Sequence, residues 1–315
     1  MSPPDRPKGE YRSAQREGTP VNARADFIAS LRRAIAPLLM CAFGALPATA
    51  QSAGVGMVTD LLGQATVSSQ GRSRDLAILD ELDAGAMVQV SPGATLVVLY
   101  LDAGDEYVFK GPATIDFRRE QPEMQSGTTP ERRNLTLGKG GKVIRIKSVG
   151  MAQGAMVMRG IRADARIQLL NLHRTRTLET RPEFRWTELQ PGLKYAFELD
   201  DETGRMIFEG QVDATSMELP TGVQLQEGMP YTWQVSARLP DGRRYSSSAE
   251  FALAPAELRA QAEALRPAAS APLSTRIAYA AWLDQMELKD EARKYWKAAS
   301  AERPDDSRLR ALAAR

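Results

Sequence analysis

The chain has 315 residues, of which 43% are hydrophobic and 25% charged, so it is expected to be a folded chain of more than one domain rather than a disordered or membrane-embedded one. Seven of the 41 basic and four of the 39 acidic residues fall in the first fifty, leaving 34 and 35 in the remainder. A body so balanced argues against nucleic acid as the main partner, because neutralising phosphates needs a clustered basic excess.

Residues 1–33 begin polar and Pro-rich, without apolar periodicity. They are expected to be a disordered extension or a misassigned start, with translation beginning nearer Val21. Arg32 and Arg33 then precede the apolar run Ala34 to Leu46, and Ala48-Thr49-Ala50 forms an A-x-A-like site before Gln51. Residues 34–50 thus predict the core and cleavage region of a secretory signal, with Ala48, Ala50 and Gln51 at the cut. The run is too short for a membrane span and is interrupted by Pro37 and Gly44, so the mature chain is expected to hold no stable transmembrane segment. Met40 precedes Cys41, which disfavours lipidation there. Cys41 is the single cysteine. Removing it leaves no thiol for disulfides, nucleophilic catalysis or Cys-based zinc sites, and no cofactor or metal is expected.

From Val55 to Phe117 the pattern is one of short strands separated by turns. "GMVTDLL" and "ATVSS" flank Gly63, while Pro92-Gly93 and Ala103-Gly104-Asp105 bracket a nearly continuous apolar strand, Thr95 to Leu101. A strand apolar at successive positions is expected to be buried on both faces. Arg119 to Arg133 reads as a polar loop, after which strands resume in "NLTLGKGGKVIRIKSVG" and "GAMVMRGIRADARIQLL". Gly138 to Lys142, "GKGGK", lacks phosphate-loop spacing and precedes a strand, so it reads as a glycine-rich turn.

The segments "GMVTDLLGQATV" and "LDAGAMVQVSPGATLVVLYLDAGDEYVFKGPATIDF", with their V-x-V-S-P-G step before a long apolar strand, resemble the periplasmic FecR-type β domain over residues 55–160. The resemblance implies a β domain over residues 51–165. Iron-signalling members of that family carry a cytoplasmic helical part and a membrane anchor ahead of this domain. Neither is visible here, so a direct transmembrane regulator is not implied.

Residues 176–255 hold strands at near-regular spacing. Alternation is clean through Tyr195, Phe197 and Leu199 and again from Tyr231 to Leu239, and Asp241-Gly242 is a hairpin signal. With "PEFRW" opening and "GMPYTWQVSARLPDG" near its end, the unit resembles a fibronectin type III-like sandwich. Trp186, Tyr231 and Trp233 suit core packing better than a sugar-stacking platform.

Residues 256–315 predict helices. Ala280, Ala292, Trp296, Ala299 and Pro304 sit at the spacing of one tetratricopeptide repeat, although Arg276 and Leu283 stand where aromatics are usual. The small residues let two helices approach, and the proline stops the second. By that resemblance Ile277, Ala281, Asp284 and Gln285 would line a partner-binding groove. The other reading is a helical hairpin that only caps the sandwich. One repeat cannot bury its own apolar face, so another part of the chain or a partner must cover it.

Catalytic signals are sparse. His173, the single histidine, lies in "LLNLHRTRTLE" between two β units, and no G-x-S-x-G pattern accompanies it. The acidic stretches Leu199 to Glu202 and Pro304 to Asp306 sit where turns and helix starts favour carboxylates. The expected class is mainly β with an α-helical C-terminus. The expected function is non-catalytic binding or scaffolding in the periplasm or cell envelope, with an envelope protein or a peptidoglycan or other glycan as partner. Two alternatives stay open: a module that senses an envelope signal with a membrane partner, and a carbohydrate-active enzyme using two carboxylates.

Overall fold

The computed structural model describes residues 54–69, 71–134, 136–137, 142–143 and 166–315. The expected leader, its Ala48, Ala50 and Gln51 cleavage site, Cys41 and most of the Gly138 to Lys142 turn lie outside the described residues. The chain is mainly β-sheet and closes with four helices.

Ten strands build the first domain: β1 (Gly54–Leu62), β2 (Ala65–Ser69), β3 (Arg72–Asp75), β4 (Glu81–Asp83), β5 (Ala86–Val90), β6 (Thr95–Tyr100), β7 (Asp105–Lys110), β8 (Ala113–Phe117), β9 (Pro122–Ser126) and β10 (Glu131–Asn134). They form two antiparallel five-stranded sheets, ordered β10-β7-β6-β1-β4 and β3-β2-β5-β8-β9. Alternate residues of each sheet point inward, so Val58, Leu96, Val98, Tyr100 and Phe109 meet Val67, Val88, Ile115 and Phe117 in one core. The turn before β6 has Pro92 and Gly93 at its centre, Gly93 at φ 76°, and Ala94 N donating to Ser91 O at 3.0 Å. Gly111 is required by packing: a Cβ there would lie 1.8 Å from the Ser91 carbonyl oxygen.

The stretch Arg119 to Arg133, expected to be a loop, contains β9 and the start of β10. Both are edge strands whose side chains are largely exposed, so backbone pairing with β8 and β7 forms them without any apolar alternation. Two short strands, β11 (Thr136–Leu137) and β12 (Lys142–Val143), pair antiparallel beyond it.

The second domain contains β13 (Thr175–Thr177), β14 (Glu183–Arg185), β15 (Tyr195–Asp201), β16 (Met206–Val212), β17 (Ser216–Glu218), β18 (Pro230–Arg238) and β19 (Arg244–Leu253). One sheet runs β13-β19-β18-β15-β16, with β13 parallel to β19, and a second pairs β14 with β17. Phe184, Trp186, Phe197 and Trp233 form the aromatic centre between them, with Phe184 and Phe197 ring centroids 4.9 Å apart. Trp186, Tyr231 and Trp233 are all buried, so none offers a ring face to a sugar.

The helices are α1 (Ala256–Leu265), α2 (Leu273–Gln285), α3 (Lys289–Glu302) and α4 (Ser307–Ala313). Ala280, Ala292, Trp296 and Ala299 are all buried at the close approach of α2 and α3. The α2 helix ends in a Schellman turn: Leu288 N donates to Leu283 O (2.9 Å), Glu287 N to Asp284 O (3.0 Å), and Glu287 takes φ 62°. Asp306 caps α4 by accepting from Arg308 N and Leu309 N, both at 2.9 Å.

What covers the helical unit is the first domain. Met57 and Leu99, on the outer face of β1 and β6, and Leu101, just past β6, share one continuous core with Ile78, Leu79 and residues of all four helices. Thus β6 is buried on both faces, inward by Leu96, Val98 and Tyr100 and outward by Leu99. Polar ties frame this contact. Arg303 pairs with Asp60 (3.2 Å), and Arg308 bonds to Asp80 Oδ1 (2.6 Å) and Ile78 O (2.7 Å). On the other side, Thr175 Oγ1 donates to Glu287 O (2.9 Å) and accepts from Lys289 N (3.0 Å), binding β13 to the α2–α3 turn. The helices therefore join both β domains.

Candidate functional site

A cleft of about 1780 Å³ opens where the second domain meets the helices. One wall is the segment 166–174. It runs alongside β14, with Leu170 N donating to Arg185 O and Thr187 N to Gln168 O, both at 2.8 Å. Asn171 closes this pairing by donating to Glu183 O (2.6 Å) and accepting from Arg185 N (2.9 Å).

The segment then bends through two left-handed residues, Leu172 at φ 52° and Arg174 at φ 49°. For non-glycine residues each costs about 1–2 kcal/mol. Three bonds hold the bend. Asp290 Oδ2 accepts from Leu172 N (2.7 Å), Trp233 Nε1 donates to Leu172 O (2.9 Å), and Arg174 N donates to Glu250 O (2.7 Å). Between them His173 is exposed at the cleft.

The facing wall consists of the end of α2, with Asp284 and Gln285, and the outer face of α3, with Lys289, Arg293 and Lys297. Asp284 accepts from Trp296 Nε1 at 2.8 Å. Burial pushes its carboxyl above the ordinary carboxylate value, against the pull of that indole and of Arg315, Lys289 and Arg293. Gln285 Oε1 is enclosed and has no hydrogen-bond partner.

The four residues expected to line a groove separate. Ile277 and Ala281 are 0% and 6% exposed and belong to the core shared with the first domain, so they do not line an open groove. The physical reason is that their face of α2 is the one that docks against β1. Asp284 and Gln285 do reach the cleft. Its remaining wall, including His173, Arg174 and Lys289, carries no motif; "LLNLHRTRT" and "KDEARKYWK" supply its cations, and only tertiary docking brings them together.

Titratable groups elsewhere serve the fold. Asp201 closes its turn by accepting from Thr203 Oγ1 (2.6 Å), Arg205 N (3.1 Å) and Thr203 N (2.9 Å), and these bonds, the hydroxyl's first, hold its carboxyl below the usual range. At the β1–β7–α2 contact Glu106 is 1% exposed, 3.5 Å from Thr59 Oγ1, and burial pushes its carboxyl up; Ser274 and Arg133 oppose that shift. Burial likewise raises Asp60, despite Arg303. Burial also opposes ionisation of Asp80, but its bonds to Arg308, Arg74 and Ala77 N outweigh it and lower the carboxyl. Among the described residues no group of three or more His, Cys, Asp or Glu is placed to hold a metal ion, and no helix is long and apolar enough to cross a membrane.

No family model matches the chain, and no curated protein matches it. Among solved structures, a "tetra-tandem repeat in extending region of large adhesion protein" aligns over 64% of this chain at 13% identity with a TM-score of 0.20. The match spans 42% of that solved chain's length.

Proposed function

We propose that the chain is a non-catalytic, exported protein of the bacterial cell envelope that binds or scaffolds a protein or a cell-wall glycan. Its modules are read as a FecR-like β domain, a fibronectin type III-like sandwich and a tetratricopeptide-like helical unit. Several features support the module reading. The sheet order β13-β19-β18-β15-β16 over β14-β17 suits the sandwich, as does the buried Trp186. Tyr231, near the start of β18, accepts from Gln226 N at 2.7 Å, the geometry of a tyrosine corner. The small-residue contact of α2 with α3 suits a single helical repeat, and the first domain supplies the cover that neighbouring repeats would give.

The observation that carries the functional reading is the cleft at the module junction, built from side chains of the sandwich and the helices together. Ligand sites concentrate at such junctions. Crosslinking in intact envelopes followed by capture of the chain tests it, together with incubation of the purified protein with peptidoglycan. Co-capture of an envelope protein, or sedimentation with the wall without released sugar, is the expected result. Released sugar that disappears on substitution of one carboxylate would overturn it in favour of a two-carboxylate hydrolase.

A further inference from the structure

Resting on the reading of this chain as a binding protein, we propose that the junction cleft takes an acidic polypeptide segment carrying an apolar side chain. Charge is the first argument. Eight arginine and lysine side chains border the cleft against five side-chain carboxylates. Four of those carboxylates are already engaged: Asp290 by Leu172 N and Arg293 (both 2.7 Å), Glu291 by Lys294 (2.7 Å), Glu183 by Arg185 (3.9 Å) and Asp284 by Trp296 (2.8 Å). Arg166, Arg174 and Lys297 have no side-chain partner among the described residues, and Lys289 and Arg315 reach only the field of Asp284. The surplus is therefore positive and available, and walls of low dielectric focus it.

Two further features separate a polypeptide from other anions. Gln285 Oε1 is an enclosed acceptor without a donor at the cleft wall; turned into the cleft it would meet the N–H groups that a peptide backbone supplies, whereas a fully ionised inorganic anion supplies none. Leu170 is 50% exposed on the cleft wall and offers a foothold to an aliphatic side chain. An anionic glycan would supply hydroxyl donors, yet Trp296, the one Phe, Tyr or Trp side chain among the described lining residues, is 3% exposed and gives a sugar no broad face to stack on. The bend at Leu172 and Arg174 is bonded to β18, β19 and α3, so this wall is preformed and a ligand need not order it.

The test is fluorescence anisotropy on the whole chain with a labelled twelve-residue peptide of Asp and Glu around a central Leu. A lysine-substituted analogue, an analogue lacking the Leu, and polygalacturonate as competitor serve as comparisons, at low and physiological salt. The acidic peptide should bind saturably and weaken with salt. Arg174→Glu with Lys297→Glu should reduce affinity roughly tenfold or more, and Leu170→Ser several-fold, roughly as one lost apolar contact does. The lysine analogue should not bind. Unchanged melting and circular dichroism establish that each variant is folded, and Lys297→Glu alone, on the exposed face of α3, serves if the pair is not. Absence of saturable binding, indifference to the double variant, or equal binding by the Leu-free analogue or polygalacturonate would overturn the proposal. Envelope crosslinks formed only through other surfaces would remove the cleft assignment and leave the binding reading intact. Wall-sugar release by the chain would remove the binding reading itself.

Discussion

Leu99→Ala probes the contact on which the arrangement of modules depends. Leu99 is fully buried on the outer face of β6, against the helical unit rather than inside the first domain's own core. The substitution deletes three carbon groups, about 2.4 kcal/mol of transfer free energy at about 0.8 kcal/mol each. The cavity left between sheet and helices adds to this, for a total of about 3–4 kcal/mol. If the helices and the first domain unfold as one block of about 140 residues, each kcal/mol lowers the midpoint by about 3–4 °C, giving a loss of about 10 °C. Circular dichroism at a helix-sensitive wavelength reads the helices, and hydrogen exchange reads α2 amides directly. Both should move with the mutation, although it lies in β6 and outside every helix. An unchanged helical midpoint, with destabilisation confined to exchange in β1, β6 and β7, would refute the shared core.

Glu106→Gln tests the buried carboxylate beside that contact. Its raised folded-state pKa means that its favourable contribution is full below the ordinary value of 4.5 and is lost as pH rises through the raised value. The variant should be more stable than the parent at pH 7 by on the order of 1 kcal/mol, with the gap closing as pH falls toward 4.5; a gap that stays constant in melts across that range contradicts the assignment. Glu287→Gly removes a left-handed glutamate at the end of α2, where glycine carries no Cβ penalty, and should raise stability by about 0.5–1 kcal/mol despite losing the exposed Arg176 pair, as read by thermal or urea melts. Gly111→Ala drives a Cβ into the Ser91 carbonyl and should cost more than about 3 kcal/mol, seen as loss of the first domain's exchange protection.

Much of this is written locally. The run Thr95 to Leu101 carries the expectation of two buried faces, and the hairpin at Asp241-Gly242 forms with Leu239 N bonded to Arg243 O at 2.8 Å. Ala280, Ala292, Trp296 and Ala299 mark where two helices touch. What is not local is which surface covers which. Nothing around Leu99 names α2 as its cover, since the two lie some 170 residues apart in the chain. The edge strands β9 and β10 escape a pattern-based reading because backbone pairing, not side-chain burial, makes them. The candidate groove divided for the same reason: one helix face cannot both dock on a sheet and stay open, and docking takes Ile277 and Ala281 while leaving Asp284 and Gln285 at the rim.

This division ties stability to the proposed binding site. The two walls of the cleft belong to different modules and are held in register by short links, notably Leu172 N to Asp290 and Thr175 to Glu287 and Lys289. The helices are in turn fixed by Met57, Leu99 and Leu101 on the opposite side. A ligand that spans both walls binds only the docked arrangement, so it stabilises the docked state by mass action. Leu99→Ala, which touches no cleft residue, should then weaken the acidic peptide only in so far as it populates undocked helices, and saturating peptide should recover part of the lost midpoint. Arg174→Glu with Lys297→Glu should show the converse: an intact midpoint without peptide and no recovery with it. The two variants thus separate a cleft that is assembled by docking from one that is merely adjacent to it.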